Sequence, residues 1–197
     1  MPALLFGRCT CSSDSVNRGD LNVVPLGQEW QMGEQLAAEI ARTQPLVDDP
    51  VLQEYVARLG AQLVEQTEMA DRPWQFHVVA DPSLNAFAIP GGHVYVNTGL
   101  IVAAESPAEL AGVMAHEVAH GVARHGTERM TKVYGLSVVG SLVLGEDPGL
   151  LEQIAAQIIG SGAVARFSRK DETEADALGL DYLYEAGYPP EAMGTMF

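Results

Sequence analysis

Residues 108–126 read AELAGVMAHEVAHGVARHG, and the five letters HEVAH at 116–120 decide how the rest of the chain is read. An α-helix advances about 100° per residue, so His120 lies about 40° from His116, one turn further on. Both imidazoles therefore leave the same face. Glu117 lies about 60° from His120, close enough to reach whatever the rings hold. Leu110, Met114, Val118 and Val122 fall opposite, which predicts a helix buried on one side and polar on the other. Ser106-Pro107, with Glu109 in the first turn, marks its start. Two imidazoles and an adjacent carboxylate are parts of a hydrolytic zinc centre: two ligands, and a general base beside the position left open to water. An ordinary amphipathic helix with two surface histidines would carry the same letters. The reading turns on a third ligand.

The pattern H-E-x-x-H-x-x-G-x-x-H would need glycine at 123 and histidine at 126, but the chain has Ala123 and Gly126. His125 lies about 180° around a continuing helix from His116, which predicts a structural or solvated histidine. A carboxylate from a second helix is the alternative. FSRKDETEADALGLDYLYEAG, residues 167–187, offers Glu172, Glu174, Asp176, Asp181 and Glu185. Helical phase sorts them. Glu174, Leu178, Asp181 and Glu185 share a polar face. Glu172, Ala175, Asp176, Gly179, Leu180 and Leu183 share another, small enough for a neighbouring helix to approach. Carboxylates on that face are costly unless employed. Glu172 as third ligand, with Asp176 accepting an N–H from a ligating imidazole, accounts for both. Glu174 reads as a solvated surface charge.

Around this pair of helices the chain reads as α+β, mostly helical, with one small sheet before the motif helix. Apolar positions recur at helical spacing from Gln28 to Thr43. A second helix runs from the Asp49 cap and Pro50 to about Gln66. WQFHVVA and NAFAIPGGHVYVNTG alternate like strands, the second broken by a Pro-Gly-Gly turn. Further helices are predicted from Thr127, over Pro148–Ile159 and over Lys170–Ala186, with PEAMGTMF beginning another. The strand around Gly92–Asn97 is predicted to form the edge of the cleft and to pair with an extended substrate. Val94 and Val96 would then face the core, and His93, Tyr95 and Asn97 the cleft or solvent.

With 197 residues, 47% of them hydrophobic, the chain can bury one sizeable core. Eleven Lys and Arg against 26 Asp and Glu give a formal charge of −15, which argues against nucleic acid or an anionic membrane bound through a basic face. Cationic or unfolded polypeptides fit better; the acidity also serves solubility. Residues 1–25 read as a leader: apolar residues, then Cys9 and Cys11, then a Ser/Asp-rich stretch, like a lipoprotein signal remnant or a disordered segment. Pro2–Phe6 is short for the apolar part of such a signal, and Arg8 stands where a small residue is expected. No run reaches the roughly 18 apolar residues of a spanning helix.

HEVAH followed by ETEAD within SRKDETEADALG resembles the gluzincin metallopeptidases of the CAAX prenyl protease, HtpX and Oma family. NAFAIPGGHVYVNTGLI is similar to the stretch preceding the motif helix there. LGQEWQMGEQLAAEI and DDPVLQEYVARLGAQL are similar to the helices that open the soluble periplasmic BepA/LoiP-like branch. The resemblance covers about Leu26 to Phe197. It implies a zincin-like zinc metallopeptidase domain at 26–197, shortened at its C-terminus relative to the family, with one Zn2+ per chain. It implies His116, His120 and Glu172 as metal ligands, Glu117 as catalytic base and Asp176 in support. The expected substrates are unfolded or misassembled envelope proteins, met in the periplasm or from a membrane-tethered lipoprotein. A chaperone-like protein that keeps the zinc site but mainly holds unfolded clients is the competing expectation. Prenylated substrates are not expected without spanning helices. For a group stabilising the transition state, His93, Tyr95, Arg124 and Arg166 are the candidates.

Overall fold

The computed structural model describes residues 22, 24–143, 147–161 and 167–194. Cys9, Cys11, Arg166 and most of the leader lie outside the described residues. Eight α-helices and three strands are described: α1 (Leu26–Thr43), α2 (Pro50–Val64), β1 (Gln75–Val79), β2 (Ala86–Ile89), β3 (His93–Asn97), α3 (Thr98–Ala103), α4 (Pro107–Val122), α5 (His125–Tyr134), α6 (Leu136–Val143), α7 (Pro148–Ser161) and α8 (Arg169–Glu185). A 3-10 turn, Pro190–Gly194, follows where an α-helix was expected to begin. The architecture is α+β, as the sequence predicts. The short α3 and the separate α6 were not anticipated.

The helix starts obey local chemistry. Asp49 accepts hydrogen bonds from the amides of Val51 and Leu52, with Pro50 in the first turn. Ser106 caps α4 through the Glu109 amide, and Ser168 and Asp171 form a reciprocal capping box on α8. Each such cap contributes about 1 kcal/mol.

The sheet corrects one expectation. Its order is β1-β3-β2, with β3 parallel to β1 and antiparallel to β2. β3 is therefore central, paired on both sides, and no backbone edge remains on it for a substrate. Helices cover both faces. Val78, Val94 and Val96 pack toward α2, α4 and α8, whereas Val79, Phe87, Ile89 and Tyr95 pack toward α1, α6 and α7. His93, Tyr95 and Asn97 are thus buried rather than lining a cleft. Alternation reports which face a side chain takes, and it did so correctly for Val94 and Val96. It does not report whether the second face is also covered. Among the described residues, the unpaired edge near α4 belongs to β2.

The turn between β2 and β3 places Gly91 and Gly92 at φ of +86° and +76°, which glycine adopts without steric cost. Helix α1 crosses this turn at Gly33. A Cβ there would lie 2.3 Å from the Pro90 carbonyl oxygen.

Helix α4 is the centre of the molecule. The one-sided amphipathic helix expected from its sequence is in fact buried nearly all round, from Leu110 to His116 and again at Val118–His120 and Val122. Ala111, Gly112, Ala115 and Ala119 explain how. The Gly112 Cα faces Met193, and Gly179 of α8 sits against the Ala115 backbone, where a Cβ would come within 3.1 Å. Small residues on both helices let the backbones approach until side chains further along meet. Among the described residues, no helix is long and apolar enough to cross a membrane.

Candidate metal centre

The close contact of α4 with α8 brings three ligand atoms together. His116 Nε2 and His120 Nε2 are 3.0 Å apart, and Glu172 Oε2 lies 3.4 Å and 3.8 Å from them. A tetrahedral centre with bonds of about 2.0–2.1 Å spaces its ligand atoms by about 3.3 Å. The three atoms fit such a centre, and no other group of this kind occurs among the described residues. Both histidines are buried, while the Glu172 side chain keeps 46% exposure at the rim. Burial holds His120 far below the ordinary imidazole range, with the neighbouring His116 and His125 adding to it. A neutral imidazole is the form that ligates a metal.

Asp176, one turn beyond Glu172 on α8, brings Oδ1 to 2.9 Å from His116 Nδ1. That distance places a carboxylate oxygen beside the ring nitrogen turned away from the cluster, where it could accept an N–H once the ring is oriented. Burial cost does not explain these carboxylates, because Asp176 is 66% exposed and Leu180 is exposed as well. α8 turns Ala175, Gly179 and Leu183 into the core and leaves its carboxylates at the edge of that face.

Glu117 points from α4 toward β2, where its Oε2 accepts the Ala88 N–H at 2.9 Å. Burial pushes its carboxyl up to about 8; the Ala88 hydrogen bond opposes this and the Glu172 charge adds to it. Glu117 is not among the clustered ligand atoms. One oxygen is tied to the sheet, which leaves Oε1 for other work. Ala88 was not foreseen as a site residue. Its contribution is a backbone amide on the free edge of β2, which no side-chain pattern announces.

Two residues set aside on sequence grounds also belong here. His125 is buried, with Nδ1 2.9 Å from His120 Nδ1. Its Nε2 is 3.5 Å from Glu174 Oε2, so Glu174 is not a solvated charge; its side chain is 20% exposed. The helical phase failed because the helix stops. α4 ends at Val122, and Arg124 takes a left-handed conformation at φ +60°, returning His125 onto the preceding turn. Arg124 is held there by Nε to Glu29 Oε2 and by Nη2 to the Val24 carbonyl. These bonds commit Arg124 to the turn rather than to a substrate. Phe167, also unanticipated, stacks on His120 with ring centroids 4.1 Å apart.

A sequence profile described as "Peptidase family M48" matches residues 50–197, which include all of these groups except Glu29 and Val24. The chain belongs to that family. Curated relatives agree. The chain is 29% identical over 183 residues to the beta-barrel assembly-enhancing protease of Escherichia coli K12, covering 88% of this chain and 38% of that protein. It is 34% identical over 186 residues to the mitochondrial metalloendopeptidase OMA1 of Schizosaccharomyces pombe, covering 92% and 54%. It is 40% identical over 126 residues to the OMA1 of Arabidopsis thaliana, covering 63% and 25%. The chain therefore spans about half or less of the length of these relatives. M48 peptidases depend on a metal, and among the described residues His116, His120 and Glu172 form the group that could hold one.

Proposed function

We propose that this M48 domain is a zinc-dependent endopeptidase, with His116, His120 and Glu172 as ligands, Glu117 as general base and Asp176 orienting His116. The observation that carries the reading is the cluster of two imidazoles and one carboxylate, with an enclosed second carboxylate beside it that donates nothing to the cluster. Two nitrogens and one oxygen leave a fourth position open, the donor set of a catalytic rather than a structural zinc. A zinc held there supplies Lewis acidity toward water and a peptide carbonyl. Glu117 receives the proton of the attacking water at Oε1 while Ala88 fixes Oε2, and it returns that proton to the leaving amine.

Polypeptide substrates follow from the family. An extended segment would pair with the outer edge of β2. The Ala88 amide points away from β3 toward Glu117, and by antiparallel alternation Ala86 faces the same way. Such pairing is indifferent to side chains and suits unfolded or misassembled proteins. The relatives named for β-barrel assembly support work on envelope proteins outside the cytoplasm.

The test is Glu117→Gln, which keeps the shape and the Ala88 contact but loses the base. Zinc content should equal that of the wild type, and cleavage of an unfolded protein such as casein should fall by at least about 10²-fold. Undiminished cleavage would refute the assigned base. No cleavage by the wild type, with aggregation of unfolded clients suppressed by both proteins, would favour the holding function instead. Chelation should abolish cleavage, and stoichiometric zinc should restore it.

A further inference from the structure

We propose that His125 is a positioning residue for the metal centre: its Nδ1 accepts the Nδ1–H of His120, and Glu174 holds His125 in the tautomer that allows this. The proposal rests on the reading of His120 as a ligand.

The protons can be assigned along the chain of atoms. His120 Nε2 lies among the ligand atoms, 3.0 Å from His116 Nε2, so it must offer a lone pair to the metal. Its proton then sits on Nδ1. The partner at 2.9 Å is His125 Nδ1, which must in turn present a lone pair. The His125 proton is therefore on Nε2, the atom that faces Glu174 Oε2 at 3.5 Å. Each group has one consistent role. His116 is oriented directly by Asp176, His120 through a second imidazole. All three carboxylates involved, Glu172, Glu174 and Asp176, come from little more than one turn of α8.

The packing fixes these rings in place. The His120 and His125 rings meet edge to face at 5.0 Å, and Phe167 stacks on His120 at 4.1 Å. His125 is 1% exposed, so water does not readily replace it as acceptor. The left-handed Arg124, tied to Glu29, sets its direction. A ligating imidazole without such an acceptor is free to rotate or to present the wrong tautomer, and such partners contribute roughly 10–100-fold to metal affinity.

The experiment compares His125→Phe, which keeps a ring but no acceptor, with His125→Asn, whose amide oxygen can stand near the position of Nδ1. Glu174→Gln is the milder variant, should the phenylalanine fail to fold. Zinc affinity is measured by competition with a chromophoric chelator, the ligand field by the absorption of the Co2+-loaded protein, and the fold by thermal unfolding of the metal-free protein. His125→Phe should bind zinc about 10–100-fold more weakly and alter the cobalt spectrum. His125→Asn should recover most of the affinity, and Glu174→Gln should show a smaller loss in the same direction. Wild-type affinity in His125→Phe, or in Glu174→Gln if that is the variant that folds, would overturn the proposal. So would equal losses in the Phe and Asn variants, which would mark a packing role. A wild-type protein that takes up no zinc would instead overturn the metal-site reading beneath it.

Discussion

Gly33 and Gly27 stand on the same helix, and alanine should act on them with opposite sign. At Gly27, in the exposed first turn of α1, an added Cβ meets nothing within 4 Å. Gly27→Ala should therefore gain part of the helix propensity difference, up to about 1 kcal/mol. At Gly33 the same methyl would lie 2.3 Å from Pro90 O, 2.8 Å from Gly91 Cα and 3.0 Å from Pro90 C. Non-bonded carbons prefer about 3.5–4.0 Å, so α1 and the turn would have to separate by roughly an ångström. All three atoms are backbone, and no rotamer change can relieve the contact. Overpacking of this kind costs about 1–3 kcal/mol, occasionally more. The propensity gain of about 1 kcal/mol does not offset it.

Gly33→Ala should thus lower Tm by several degrees and Gly27→Ala should raise it slightly, at about 2–4 °C per kcal/mol for a domain of this size. Circular dichroism melts and urea titrations of both metal-free variants provide the comparison. The perturbation should also reach the site, because Pro90 follows β2 and Ala88 two residues earlier holds Glu117. Activity per folded molecule should fall in Gly33→Ala and not in Gly27→Ala. A Gly33→Ala protein as stable as Gly27→Ala would refute the claim that α1 seats directly on this turn.

Asp176→Asn should weaken zinc binding by roughly 10–100-fold while leaving the metal-free melting temperature nearly unchanged, since the side chain is 66% exposed; outright unfolding would make Asp176 a structural residue. A pH dependence follows from His77 and His93, stacked rings with Nε2 and Nδ1 3.1 Å apart beside Tyr95 and Glu34. Burial lowers both to about 4 from 6.5, the His93 neighbour lowering His77 further and Glu34 opposing. The unfolded chain therefore takes up these protons first. Their contribution is complete above about pH 6.5 and is lost as pH falls toward 4, by up to about 3 kcal/mol per histidine. Urea unfolding of metal-free protein at pH 7.5 and 5 should show the loss, and His77→Phe should flatten it; identical stability at both pH values would contradict the assignment.

What was legible in the sequence depended on whether a single element contained it. His116, Glu117 and His120 lie within one uninterrupted helix, so their angular relation could be read from 3.6-residue periodicity. The Asp49 cap and the Ser106-Pro107 start are local as well. His125 was misplaced because no glycine or proline marks the end of α4. An arginine adopts the left-handed turn instead, supported by Glu29 and Val24 about a hundred residues away. The position of β3 was hidden for a similar reason. HVYVN alternates as a half-exposed edge strand would, and its parallel pairing with β1 is a long-range contact without a local signature.

Glu172 and Asp176 lie beside His116, as helical phase predicts, but for a different physical cause. Phase separated Glu174 from Glu172 by about 200° and joined Asp176 to Glu172 within about 40°. That separation holds: Glu172 and Asp176 approach His116, whereas Glu174 approaches His125. Carboxylates on an Ala, Gly and Leu face are expected to be buried and to need a partner that offsets desolvation. They are instead half exposed or more, so desolvation does not compel the pairing. Reach does. Gly179 lets α8 approach the Ala115 backbone, and the side chains about one and two turns earlier, Asp176 and Glu172, then extend over His116 from the rim. The residue that makes the site possible is thus a glycine with no polar atom in its side chain. Its replacement by a larger residue should move Glu172 and Asp176 together.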